Sequence, residues 1–186
     1  MRQIASILLV AVLAACGTSN VNVTPAVTDA GGVPMSITIT SMAFSNGQSI
    51  PKQYTCDGDN VSVPLDWEGV PTAAKSLALI VDDPDAPSGT FVHWVLYSIP
   101  TRARNLPEAV SNAATLPDSS RNGRNGSRRF GYMGPCPPSG THRYFFKLYA
   151  LDMMLTLEPG ATKEQLLTVM QGHILTQGEL MGTYKR

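Results

Sequence analysis

The stretch SLALIVDD, residues 76–83, is a continuous apolar run that stops abruptly in acids. Apolar side chains at successive positions over so short a length suit a strand covered on both faces. The run leads into DDPDAPSGTFVHW, residues 82–94, where Asp82, Asp83 and Asp85 alternate with Pro84 and Pro87 before His93 and Trp94. Proline fixes its own φ and biases the preceding residue toward extended backbone, so these acids sit on a stiffened bend. A buried strand that feeds a rigid acidic bend requires further strands, a covering layer and a task for the acids.

The rest of the chain supplies candidates for the first two. FVHWVLYSIP (91–100) and HRYFFKLYALD (142–152) are aromatic and β-branched, as strands prefer. SITITSMAF (36–44) alternates in the strand manner, with Ile37 and Ile39 on one face, and ELMGTYKR (179–186) suits a short returning strand. Residues 107–131 keep no period and read as a long loop. One helix is signalled late: Pro159-Gly160 break the chain, Thr162 and Gln165 form a capping box, and Leu166, Leu167 and Met170 make an apolar stripe fit to lie on a sheet. Gly (16) and Pro (14) are plentiful while 15% of residues are charged, which favours a turn-rich β domain over a helical bundle. The length of 186 residues fits one domain. The fold class expected is mainly β with one or two accessory helices.

Lys and Arg (14) balance Asp and Glu (14), so no global field exists to gather nucleic acid, and no basic or aromatic face for it is visible. MRQIASILLVAVLAAC (1–16) joins one cation, Arg2, to an apolar run too short to span a bilayer, with small residues before Cys16. LAAC (13–16) resembles a bacterial lipobox. That resemblance implies a signal peptide over 1–15, lipidation of Cys16 and, with Gly17 rather than Asp following, an outer-membrane address facing the periplasm. An ordinary secretory signal with a chance cysteine is the alternative. Residues 16–34 then read as lipid anchor and flexible tether, and 35–186 as the folded domain. Cys56 and Cys136 remain as an even pair in an oxidising compartment, where a disulfide is expected; two buried free thiols are the alternative. No Cys/His spacing supports a zinc site.

Side chains two apart on a strand share a face. Asp83 and Asp85 are such a pair if the chain stays extended through Pro84, and His142 and Tyr144 are another. Strand alternation groups His93 with Phe91 and Val95 and turns Trp94 the other way into the core. GPCPPSG (134–140), just before His142, cannot be helical and can hold a rigid open shape. If the two stiff loops and the two strand-borne histidines converge, they enclose a small polar cup. Taken singly these residues have plainer roles: turn acids, a satisfied core histidine, an edge residue, a core tyrosine. Arg121, Arg124, Arg128 and Arg129 read as a solvated basic loop, with the alternative that it overhangs the cup and draws anions in.

Together, DPDAP with its following HW, and GPCPPSGTHRYFF, resemble the two signature segments of the phosphatidylethanolamine-binding protein family, in its bacterial Raf kinase inhibitor-like branch. YTCDGDNVSVPLDW (54–67), HWVLYSIP (93–100) and the GHIL and LMGTY pieces of 172–184 are similar to that branch too. The resemblance spans most of residues 36–186. It implies antiparallel sheets packed as a Greek-key-like sandwich and a small pocket for phosphate or a phosphorylated head group. Carried over by position, Asp83, Asp85, Pro87 and His93 match the first segment, and Pro138, His142 and Tyr144 the second. Cys136 departs from eukaryotic relatives, which tend to have glycine there.

Carboxylates and phosphate repel, at about 4 kcal/mol for like charges 4 Å apart at an effective dielectric of 20. The acids must therefore do something other than touch the anion. One can accept a hydrogen bond from an imidazole, fixing its tautomer and favouring its charged form. The other can be held by backbone donors in the Pro-rich turn, or face a ligand ammonium. The expectation is a non-enzymatic binding protein for an anionic or zwitterionic phosphorylated ligand, with no cofactor, and with a protein partner or homodimer left open. A kinase- or protease-inhibitor-like interaction module is the main alternative. A metal-dependent hydrolase is a weaker one, with His93, His142, Asp83 and Asp85 as ligands; neither G-x-S-x-G nor H-E-x-x-H occurs, and GVPTAAKS (69–76) misses a P-loop at Ala74.

Overall fold

A computed structural model describes residues 37–186. The expected signal peptide, Cys16 anchor and tether lie outside the described residues. Eight strands and one helix follow in the order β1 (Thr38–Thr40), β2 (Leu65–Glu68), β3 (Ser76–Asp83), β4 (Phe91–Ile99), β5 (Asn105–Leu106), β6 (Arg121–Asn122), β7 (Thr141–Leu151), α1 (Lys163–Met170) and β8 (Ile174–Lys185). They build a three-stranded sheet, β1-β2-β5, and a five-stranded sheet, β6-β4-β3-β7-β8, with antiparallel neighbours throughout. The class is mainly β, as the sequence leads one to expect.

β3 lies at the centre of the larger sheet, and all of its residues are buried. One face carries Leu77, Leu79 and Val81, which pack with Trp94, Leu96, Phe146 and Leu148 against Ile39, Leu65, Trp67 and Leu106 of the smaller sheet. The other face carries Ala78 and Ile80 beneath Leu166 and Met170 of α1. This two-sided cover explains why the run has no polar alternation. Burying Leu166 and Met170 fully is worth about 1.5–3 kcal/mol each.

α1 starts where its capping box predicts. The Thr162 side chain accepts from the Gln165 N–H, and the Gln165 side chain accepts from the Thr162 N–H. Leu167 departs from the expected stripe: it is exposed, and Val169 packs against the buried cluster instead. β1 is shorter than 36–44, whereas the C-terminal strand is much longer than 179–186. It pairs with β7 from Thr141–Lys185 to Leu151–Ile174. The 107–131 segment is largely loop but is tied down. The Asn122 amide accepts from the Trp94 indole N–H at 2.8 Å and donates to the carbonyls of Ser111 and Ala113 at 2.9 and 2.7 Å.

One irregularity of β4 changes the side-chain order. Val81 pairs with Trp94 but Asp82 pairs with Val92, leaving His93 as an extra residue in the ladder. Such a bulge turns two consecutive side chains the same way. His93 meets Tyr144 on the inter-sheet side, Trp94 packs in that same cluster, and Val95 packs in the helix-side cluster. The simple alternation that grouped His93 with Val95 and opposed it to Trp94 is therefore corrected.

Candidate functional site

β3 ends at Asp83 and β7 begins at Thr141, so the acid-proline bend and the proline-glycine loop leave neighbouring strands at the same end of the sheet. Between them lies a cavity of about 380 Å³, lined by Asp83, Pro87, Phe91, His93, Pro138 and His142 among others. Both imidazoles reach it. Cys136 is in its wall and is bonded to Cys56, across 80 residues of sequence. The expected disulfide is present, and it fixes the Pro-rich loop to the segment before β2. The Cys56 N–H donates to the Pro135 carbonyl at 3.1 Å, and the Gly134 N–H donates to the Asn60 side chain at 2.7 Å.

Asp83 is buried, and both of its oxygens are engaged within the protein. Oδ1 accepts the Asp85 N–H at 2.8 Å, closing an Asx turn over Pro84. Oδ2 accepts from Nδ1 of His142 at 2.7 Å. This bond holds the ring in one tautomer and leaves Nε2 for anything outside it. The negative charge of Asp83 is thus directed into an imidazole and a backbone amide, which answers the repulsion problem.

His93 is placed differently. Its Nδ1–H donates to the Met133 carbonyl at 2.7 Å, and its ring lies edge-on between Phe91 and Tyr144, with centroids 5.0 and 5.1 Å away. Burial pushes its pKa below the usual histidine value, outweighing the Met133 carbonyl and the Asp83 charge, which push it up. A neutral ring whose Nδ1 donates presents Nε2 as an acceptor.

Asp85 and Tyr144 do not line the cavity. Asp85 turns away to Arg143 of β7, accepting its backbone N–H at 2.9 Å and a two-pronged guanidinium contact at 2.9 and 2.7 Å. That contact holds its carboxyl down to about 2. The backbone donor expected for the second acid is there, but it comes from β7 rather than from the Pro-rich turn. Tyr144 is fully buried, and its hydroxyl makes no hydrogen bond among the described residues. Burial and the nearby Asp83 charge push its pKa up, so it remains a neutral donor, with Asp83 and the Cys136 backbone as polar neighbours. Phe91 lines the mouth beside His93, as its sequence position suggests. Met133 and Ser127 also contribute wall that the sequence does not single out.

Of the basic loop, only Ser127 reaches this cavity; Arg124 and Arg128 open into a neighbouring one, and the overhanging role is not what their placement supports. Among the described residues, no group of three or more His, Cys, Asp and Glu side chains is arranged to hold a metal ion.

The structure is thus two antiparallel sheets with a small hollow at the strand ends, its wall largely apolar and set with Asp83, His93 and His142. The sequence model for phosphatidylethanolamine-binding protein matches residues 40–185. A UPF0098 protein of Methanothermobacter thermautotrophicus is 58% identical over 144 residues, covering 77% of this chain and 95% of the relative. The crystal structure of a phosphatidylethanolamine-binding protein homologue from Chlamydia trachomatis has a TM-score of 0.75 at 45% identity, covering 81% of this chain and 98% of that one. Escherichia coli YbcL, described as a member of the mammalian family, also has a TM-score of 0.75, at 28% identity, over 81% and 99% of the two chains. The chain belongs to the phosphatidylethanolamine-binding protein family.

Proposed function

We propose that the chain is a non-enzymatic binding protein whose cup takes phosphate or a phosphorylated head group. The Asp83–His142 bond in the cavity wall carries this reading, because it orients one imidazole while removing the acid's own charge from the ligand's path. A phosphoryl oxygen is received by loop N–H groups and by His142 in its imidazolium form, whose Nδ1–H is held by Asp83 and whose Nε2–H is then the free donor. His93, a neutral acceptor, requires a ligand O–H or N–H. A monoprotonated phosphoryl group or a head-group ammonium supplies one, so a zwitterion suits the cup better than a bare dianion. The buried Tyr144 hydroxyl lies next to Asp83 and Cys136, behind the wall rather than in it.

Calorimetric titration with inorganic phosphate and phosphoethanolamine tests this. Both bind the wild type, phosphoethanolamine more tightly. The variant His142→Asn keeps a donor for Asp83 and removes Nε2. It folds, and it loses about tenfold or more in affinity, equivalent to about 1.4 kcal/mol. Tyr144→Phe leaves affinity unchanged and stability unchanged or raised, since it removes a buried donor without a partner that lies outside the cup. Absence of saturable binding to the wild type, or an unchanged affinity in His142→Asn, overturns the proposal. Equal binding of the two ligands removes its ammonium half.

The proposal extends to location: a bacterial envelope protein, lipid-anchored at Cys16 and held at the outer membrane facing the periplasm. The LAAC pattern supports it, and a disulfide suits an oxidising compartment. Incorporation of labelled fatty acid into the wild type and not into Cys16→Ala is the expected result.

A further inference from the structure

The cavity beside the cup has a different charge. It encloses about 480 Å³ and shares Thr90 and Phe91 with the cup, so these residues are the partition between the two. The rest of its wall includes Arg124, Gly126, Arg128, Lys163 and Glu164. The helix end contributes one matched cation and one carboxylate, and that carboxylate subtracts from the positive charge of the wall. Lys163 is paired with the buried Asp82, and the Glu164 carboxylate is held charged by its own backbone N–H and the Thr162 side chain. The two arginines are not matched in this way. Arg124 lies over the Phe130 ring with its guanidinium carbon 4.6 Å from the centroid and donates once, to the Arg128 carbonyl at 2.8 Å. Arg128 is exposed, and neither guanidinium forms an ion pair among the described residues.

The loop that carries them is fixed. The Asn125 side chain accepts from the N–H groups of Ser127 and Arg129 and donates to the Gly131 carbonyl. Gly126 N–H donates to Val92 of β4, and Arg124 N–H donates to Ala161 before α1. Arg128 is held at φ +62°, a left-handed conformation that a non-glycine residue adopts only under such constraint. The partition is equally fixed: a Cβ on Gly126 would lie 2.6 Å from the Phe91 ring, so the ring rests directly on the loop backbone. Two arginines are therefore carried on a fixed loop backbone, in a cavity that shares Phe91 with the cup.

We propose that this cavity is a second anion subsite, and that the ligand carries two anionic groups. A phosphoryl group occupies the cup, and a second phosphoryl or carboxylate group, on a linker crossing the Thr90–Phe91 rim, is taken by Arg124 and Arg128. Guanidinium groups match such oxygens with paired N–H donors. The inference rests on the phosphoryl reading of the cup. Joining two weak sites through one ligand makes the second contact intramolecular, and affinity rises steeply only when the linker matches the span.

The test is titration of the full domain with methyl phosphate and with alkane bisphosphates of increasing chain length. In the wild type one intermediate length binds at least about tenfold more tightly than methyl phosphate. Arg124→Glu with Arg128→Glu abolishes this gain and leaves methyl phosphate within about twofold, whereas Arg129→Glu, with the same sign of charge change outside the cavity wall, preserves it. Arg124→Gln with Arg128→Gln gives the same loss of gain if the reversal variant does not fold. Methyl phosphate binding with no gain at any length, or a gain that survives the arginine changes, overturns the second subsite and leaves the cup standing. A bisphosphate gain that His142→Asn does not weaken overturns the bridging arrangement. Failure of both probes to bind the wild type overturns the cup and this subsite together.

Discussion

Asp82 and Asp83 are consecutive residues on one strand and serve two unlike regions. Asp82 points to the helix side of the sheet, is almost wholly buried, and receives two ammonium groups, Lys147 at 3.1 Å and Lys163 at the start of α1. Asp83 points to the inter-sheet side and receives one imidazole and one backbone N–H, in the wall of a cavity. Under the sheet the acid is matched by full charges and closes a joint between β7 and α1. In the cup the acid is matched by a ring that still has a nitrogen to offer. The lesson is that the partner, not burial, separates a structural acid from one that prepares a site: both acids are equally dry.

The largest expected effect tests whether the cup side depends on a restraint that the helix side lacks. Removing the disulfide with Cys56→Ala and Cys136→Ala lowers stability by about 4–5 kcal/mol in the chain-entropy model for a loop of this length. It also weakens phosphate binding in the molecules that remain folded. Denaturant midpoints and titration read the two effects, and unchanged binding would show that the pinned wall does not shape the cup. The next effect belongs to the helix side. Lys147→Ala with Lys163→Ala leaves Asp82 buried and unmatched, at about 3 kcal/mol. Phosphate affinity in the cup stays the same, and an affinity loss would break the separation of the two regions. The smallest effect is a pH slope. Burial holds His93 below its usual value, so the unfolded chain takes up a proton that the folded chain refuses. Stability is full above about pH 6.5 and falls as pH drops through that value toward the folded pKa, by at most about 1.4 kcal/mol per unit for one proton. His93→Asn, which keeps a donor for Met133, flattens that slope in urea unfolding; parallel slopes would show that the ring is not neutral in the fold.

Much of this architecture is legible in the sequence because local chemistry and tertiary fate agree. The Thr162–Gln165 capping box starts α1 where it is written, and the unbroken apolar character of 76–83 follows from cover on both faces. β8 is harder to read because its glycines mimic turn signals. Gly178 is there for another reason: a Cβ would sit 2.1 Å from the Ile37 carbonyl, where the segment entering β1 crosses the strand. The site is legible in its members more than in its arrangement. Asp83, Pro87, His93, Pro138 and His142 meet at one hollow, but Asp85 is drawn off by Arg143, a residue whose pull has no local signature. The four arginines of the 121–129 loop look alike in sequence, and only the folded loop places Arg124 and Arg128 in the lining of the second cavity.

The bulge in β4 has one more consequence. With Trp94 opposite Val81 and Val92 opposite Asp82, every ladder position of β3 in this stretch has an occupant without His93. Excising that single residue would restore regular alternation against β3, at the loss of the two bonds that join His93 to Met133, from the Met133 N–H to its carbonyl and from its Nδ1–H to the Met133 carbonyl. The imidazole is thus surplus to the β3 ladder and belongs instead to the tie between β4 and the loop at Met133.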